Sequence, residues 1–243
     1  VKESKPLVVF GDFDSLAYQA GRAETETDMQ QVVNNKMSLL IKRCQTKLVI
    51  GWVEVCHNKQ NFRNHVATTR IYKGNRAKKA KPHLLNEAKE YMVGAGYARW
   101  CNYIESEDRM LIEAKRYGIE HTIKAFIDKD CRQQWGRVYD YKKDTLYHIT
   151  PDEAHYNLFH QFLTGDISTD NIVGVWKYGE TSATKLLSAT EPDDYPLAVA
   201  KVYAERDYSY DYMLEQCRLL YLLRTDGDVF HYPLTRDEYE VLL

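Results

Sequence analysis

The chain contains no apolar run longer than the five residues Leu219, Leu220, Tyr221, Leu222 and Leu223. That is far short of the ~18 residues a membrane-spanning helix needs. Cysteine is scarce and scattered: Cys44, Cys56, Cys101, Cys131 and Cys217 are odd in number, far apart and form no CxxC pair. This argues against a disulfide framework or a thiolate zinc site, and for a reducing cytoplasm. His155 and His160, five positions apart, are poorly placed to share a helix face, so histidine offers no zinc spacing either. The first six residues are charged and only four apolar residues follow before Gly11, so the stretch lacks the apolar segment of a secretory signal. Internal repeats and low-complexity segments are missing as well. What is there is ordinary globular material: 243 residues, 28.5 kDa, 44% hydrophobic and 28% charged. One large or two small domains are expected.

The net charge of −2 conceals a segregation. Between residues 59 and 86 stand Lys59, Arg63, Arg70, Lys73, Arg76, Lys78, Lys79 and Lys81, with no Asp or Glu among them. Elsewhere carboxylates are in excess and cluster. A metal-dependent phosphodiesterase needs this division, cations for phosphates and carboxylates for metal, although a solvated basic helix face would look the same in isolation.

Apolar patterning predicts strands over residues 7–11, 47–56, 98–104 and 123–127, with helices over 28–46, 84–93 and 107–117. Strands alternating with helices imply an α/β fold with a central, mainly parallel sheet. Past Thr150 the pattern turns helical, over 151–163, 181–187, 194–206 and 210–223. The expected organisation is an α/β core over 1–150, including a basic segment over 59–93, and a helical region over 151–243 packed beside it. Most of the 19 tyrosines fall at apolar helix positions and read as core or boundary residues.

Ligands gather at the carboxyl ends of parallel strands. Asp12 and Asp14 follow the first strand; Glu105, Glu107 and Asp108 follow the strand over 98–104; Asp128 and Asp130 follow the strand over 123–127. Any one of these could be a helix cap or turn residue. Together they would repel one another unless cations sit between them, and an all-oxygen set favours Mg²⁺ or Mn²⁺. A further pair, Asp166 and Asp170, precedes a short apolar stretch between Gly174 and Gly179 and then a Thr/Ser helix start. Such a hairpin offers backbone amides and a helix N-terminus to a DNA phosphate without reading sequence.

Six blocks in order resemble the bacteriophage 5′ nucleases, the exonucleases and flap endonucleases related to the 5′-nuclease domain of bacterial DNA polymerase I. They are Gly11-Asp12-Phe13-Asp14, Asn61-Phe62-Arg63, Tyr72-Lys73-Gly74-Asn75-Arg76, Glu105-Ser106-Glu107-Asp108, Asp128-Lys129-Asp130, and the 165–171 segment with its glycine hairpin. The exonucleases of short-tailed phages look most similar. The resemblance implies a PIN-like core with a helical arch and a helix-hairpin-helix-type region. It implies metal ligation, direct or through water, by Asp12, Glu105, Glu107, Asp108, Asp128, Asp130, Asp166 and Asp170, with Asp12, Asp108, Asp128 and Asp130 serving catalysis beside Lys73 and Arg76. Lys73 and Arg76 would lie on the arch and contact the scissile phosphate, Tyr72 would stack on a base, and Arg63 would touch the DNA backbone at the arch entrance. Arg70, Lys78 and Lys79 would hold phosphates, as would Gly174, Lys177 and Gly179 of the hairpin, around a K⁺ ion held by backbone carbonyls.

The implied activity is metal-dependent hydrolysis at DNA 5′ ends or flaps, extending to RNA primers in RNA–DNA hybrids, by a monomer in the host-cell cytoplasm during phage replication. The sequence departs from the family twice. No Asp follows the second strand, where Asn58 or Glu54 would have to take its place, and the Asp166 to Asp170 spacing is one residue longer than usual. Two rivals stand beside this reading: a catalytically weakened nucleic-acid-binding relative, and a PIN-type ribonuclease.

Overall fold

The computed structural model describes residues 6–55, 60–76 and 80–243. At its centre lies a six-stranded sheet: β1 (Val8–Asp12), β2 (Val49–Glu54), β3 (Ala98–Cys101), β4 (Thr122–Ala125), β5 (Gly136–Asp140) and β6 (Thr145–Ile149). Their spatial order is β3-β2-β1-β4-β5-β6, with every pair parallel except β5 and β6, which form an antiparallel hairpin at one edge. β1 is central and wholly buried, which explains its unbroken apolar run. The final hairpin does not follow from the sequence reading. β6 is an edge strand whose residues are mostly exposed, so it carries no apolar run to betray it.

Helices cover both faces of the sheet. On one side pack α1 (Asp14–Ala20), α2 (Glu26–Cys44) and α4 (Leu85–Gly94). The stripe Met29, Val33, Met37, Leu40 and Cys44 of α2 is buried, and Thr25 caps the helix by accepting from the Asp28 amide at 3.2 Å. The opposite face is covered chiefly by α5 (Ser106–Tyr117), with Met110, Leu111 and Ala114 against Phe10, Trp52 and Val138. Phe13 is seated on the first face by two glycines. Gly11 and Gly51 are register partners in β1 and β2, and a Cβ at Gly51 would stand 2.0 Å from the Phe13 ring. The ring therefore locks the turn that carries Asp12 and Asp14.

The helical third comprises α6 (Pro151–Thr164), α7 (Glu180–Ser188), α8 (Tyr195–Ala204), α9 (Tyr210–Leu220) and α10 (Arg236–Glu240). It has a core of its own around Phe162, Leu187, Tyr203, Met213 and Tyr239. Tyr203 donates its hydroxyl to the Phe162 carbonyl at 2.6 Å, which satisfies a phenol buried among apolar groups. Among the described residues no helix is long and apolar enough to cross a membrane.

The basic segment is anchored to this third. The short helix α3 (Arg63–Val66) is followed by Thr68 and Thr69, whose amides both donate to Glu215 of α9 at 3.0 Å. Lys73 N, Asn75 Nδ2 and Arg76 Nε then donate to the carbonyls of Asp170, Ile167 and Thr169 at 2.8 to 2.9 Å. The stretch over 71–76 is thus strapped to the turn over 166–171. Asn58, Lys59, Lys78 and Lys79 lie outside the described residues.

Candidate metal and phosphate site

The strand ends place acids along one edge of the sheet. Asp12 closes β1 and is buried; it accepts from Ser106 Oγ at 2.5 Å and from the Asp14 amide at 3.2 Å. Burial is the main cause that raises its carboxyl to about 7; Asp14 and Asp128 add to the shift, and Ser106 opposes it. Glu54, at the end of β2, is lifted to about 8 by burial first, then by Glu105 and Asp14. Burial, Glu105 and Asp128 hold Glu107 far above the ordinary carboxylate range, so it keeps its proton and shares it with Glu105. Asp130 is raised in the same way by burial, then by Asp128, Asp166 and Asp170. Its Oδ1 is buried without any hydrogen-bond partner. Asp128 caps the 3₁₀ turn Lys129–Gln133, accepting from the Asp130 amide at 3.0 Å.

Two of the acids are already neutralised by the strap. Burial alone would raise Glu105, yet Lys73 and Arg63 hold it well below its usual range. It is ion-paired with Lys73 and also accepts from Tyr72 Oη at 2.9 Å and Asn61 Nδ2 at 3.3 Å. Asp170 accepts from Arg76 Nη2 at 2.6 Å and Tyr72 Oη at 3.0 Å, with Lys73 Nζ at 4.0 Å. Asp166 accepts from the Thr169 amide at 3.2 Å and closes its own turn. Beneath the strap a cavity of about 410 Å³ opens, lined by Lys73, Arg76, Lys81 and Lys89 on one wall and Asp14 and Glu54 on the other.

Three expectations are corrected by this geometry. Asp108 is not turned toward the cluster: it is fully buried and accepts from Arg63 Nη1 at 2.5 Å, Arg63 Nη2 at 3.0 Å, Leu223 N at 2.9 Å and Glu105 N at 3.1 Å. Those four donors use the four lone-pair directions of a carboxylate, leaving none for an ion. Arg63 is buried with it and donates also to the carbonyls of Leu219 and Tyr221 at 2.9 Å, so it ties α5 to the helical third and does not reach DNA. Tyr72 is buried at 7% exposure in the helical core, so its ring offers no face to a base. Lys73 and Arg76 stand at the root of the basic segment among the acids, while Arg70 is exposed on its outer side.

The hairpin between α6 and α7 has the close backbone crossing its glycines suggest. Gly174 has φ +61°, and a Cβ there would meet Gly165 N at 2.6 Å and Leu163 O at 2.7 Å. Lys177, with φ +59°, and Trp176 are exposed at its tip, and Gly179 caps α7. Functional groups absent from the sequence reading are Asp14, Ser106 and Lys89. Asp14 Oδ1 accepts from the Glu54 amide at 2.7 Å, and Lys89 Nζ donates to the Glu54 carbonyl at 2.9 Å while pairing with Asp14. Asp14 was visible as the second acid of the first block; nothing in the sequence marks Lys89 as buried.

The donor set suits a hard divalent cation. It is all oxygen, its members repel one another, and the buried Oδ1 of Asp130 lacks a partner. Among the described residues, no three carboxylate, histidine or cysteine side chains are gathered closely enough to hold an ion as they stand. Glu105 and Asp170 face Lys73 and Arg76 instead.

A parallel sheet crowned by acids, a basic strap and a glycine hairpin define the 5′-nuclease architecture. The D15 protein of bacteriophage T5, co-crystallised with metal ions, is similar in structure with a TM-score of 0.70 at 15% identity, covering 88% of each chain. T5 5′-exonuclease with bound zinc gives 0.68 at 16% over 88% of each chain. A variant of the D15 flap endonuclease in a pseudo-enzyme–product complex with DNA and metal ions gives 0.63 at 15%, again over 88% of each. The chain therefore has the fold of the phage 5′ nucleases. No protein-family model and no curated protein matches it.

Proposed function

We propose that the protein is a metal-dependent 5′→3′ exonuclease and flap endonuclease acting on DNA. The observation that carries this reading is the acid edge itself. Asp12, Glu107, Asp128 and Asp130 are held together with no cation among them, beside Glu105 and Asp170, whose counter-ions belong to a basic strap. Asp12, Glu107, Asp128 and Asp130 would hold Mg²⁺ or Mn²⁺, with Glu105, Asp166 and Asp170 joining once released, and Glu54 serving as the acid of the second strand. Bound ions supply an activated water and stabilise the leaving 3′ oxygen.

The chain's own residues do the rest. Lys73 and Arg76 bring two positive charges to the acid edge, where a phosphate would otherwise be repelled, and neutralise charge that develops on it. Ser106 holds Asp12 in one orientation through the 2.5 Å hydrogen bond. The amides of the Val173–Gly174 hairpin and α7 grip duplex phosphates through residues 151–243, while residues 1–150 carry the chemistry. The shared solved fold, one member of which is in complex with DNA, supports this division. The test is release of nucleotides from a 5′-labelled duplex with Mg²⁺ or Mn²⁺; binding without cleavage in any divalent cation would instead identify a nucleic-acid-binding relative that has lost the chemistry.

A further inference from the structure

Beyond Asp130, on the side away from the strap, a second cavity of about 270 Å³ lies between the Lys129–Gln133 turn, α6 and the start of α7. Asp130, Arg132 and Gln161 line it, and each carries a buried polar atom with no partner: Asp130 Oδ1, Arg132 Nε and Gln161 Nε2. Gln161 and Asp130 are themselves more than nine-tenths buried, at 6% and 8% exposure.

The orientation of Gln161 is set by its neighbours. Gln133 Oε1 accepts from the Leu222 amide at 3.2 Å, so the Gln133 amide nitrogen must face the Leu220 carbonyl at 2.8 Å and Gln161 Oε1 at 2.7 Å. Gln161 is thereby obliged to give its oxygen to Gln133 and to turn its NH₂ away from it. Leaving a buried donor unsatisfied costs roughly 1–3 kcal/mol, so two such donors lining one cavity point to a ligand rich in acceptors. Lys129 and His160 add positive or donor character at the rim, where both contact exposed Glu180, at 3.7 and 3.5 Å.

We propose that this cavity is a phosphate subsite, in which Gln161 Nε2 and Arg132 Nε donate to a phosphate of the DNA strand next to the one at the acid edge. The inference rests on the nuclease reading for the identity of the strand. Phosphate fits because the free donors belong to an amide and a guanidinium, and because the one acceptor facing them, Asp130, belongs to the proposed metal set, which would turn the same phosphate from repelled to attracted.

The test is equilibrium binding of a 3′-fluorescein-labelled, 5′-phosphorylated duplex in EDTA, read by anisotropy so that no cleavage is needed. Gln161→Glu keeps the oxygen that Gln133 requires and replaces the free NH₂ by an acceptor. It should weaken binding tenfold or more, and inorganic phosphate should compete with the duplex for the wild type at millimolar concentration but not for this variant. Arg132→Met and Lys129→Met should each weaken binding severalfold; Lys129 is on the surface, so its variant keeps the test alive if Gln161→Glu does not fold. Unchanged affinity in the folded variants overturns the inference and identifies a water-filled cavity. Competition by phosphate with unchanged duplex affinity overturns it too, as a site for the free anion only. Because metal and cleavage are left out, loss of nuclease activity in the wild type would strike the functional reading and leave this measurement standing.

Discussion

Raising the pH of the metal-free protein from 5 to 8 should destabilise it, and a divalent cation should restore what is lost. Asp12 is raised from 3.8 to about 7 and Glu54 from 4.5 to about 8, both mainly by burial. A carboxyl whose folded value lies above its unfolded value binds more protons folded than unfolded between the two. Its contribution to stability is therefore complete below the unfolded value and declines as pH rises through the folded one. Between pH 5 and 7 Asp12 alone should withdraw about 3 kcal/mol, at roughly 1.4 kcal/mol per pH unit. For a chain of this size that is a fall in Tm of roughly 6 to 12 °C. A divalent cation at a hundred times its Kd should return about 2.7 kcal/mol at pH 8, and little at pH 5, where the acids hold protons. Differential scanning calorimetry in EDTA and in Mg²⁺ across this range measures both effects, and Asp12→Asn should flatten the slope. A Tm that stays level from pH 5 to 8 in EDTA, or a Mg²⁺ effect equal at both ends, would refute the reasoning.

Asp108→Ala should lose about 3–5 kcal/mol in urea unfolding, because it strands the buried Arg63. Asp130→Ala removes a repelled, partnerless carboxylate, so it should leave metal-free stability unchanged or higher. Lys73→Ala should lower turnover by ~100-fold or more in single-turnover assays, with a smaller change in DNA affinity, as expected for a charge acting at the transition state. Gly174→Ala forces a Cβ onto the backbone of Gly165 and Leu163, and should weaken duplex binding with a stability loss of at least about 1–3 kcal/mol on denaturant titration.

How much of this was legible follows from what each signal measures. Periodicity located β1, β2 and α2 because their burial is one-sided or complete, and the acids after the strands stood out because topology assigns ligands to those ends. The β5–β6 hairpin was not legible, since the edge strand is exposed and polar. Residue roles were harder. Arg63, Tyr72 and Asp108 belong to the recognisable blocks, yet a motif does not say which way a side chain turns, and burial directs all three inward. Lys89 and Gln161 carry no sequence mark at all; their significance lies in partners far along the chain, Asp14 and Gln133.

The central claim is that the acids after β1 and β4 hold the metal ions that drive hydrolysis. The most direct measurement is cleavage of a 5′-labelled duplex by wild type, Asp128→Ala and Asp130→Ala, each in EDTA and in a Mg²⁺ or Mn²⁺ series, with duplex binding recorded in parallel. The account predicts cleavage by the wild type only with divalent metal, and none by either variant, while both variants bind duplex as well as the wild type or more tightly because a charge that repels phosphate has gone. Cleavage within about tenfold of wild type in both variants, or cleavage that persists in EDTA, would contradict it.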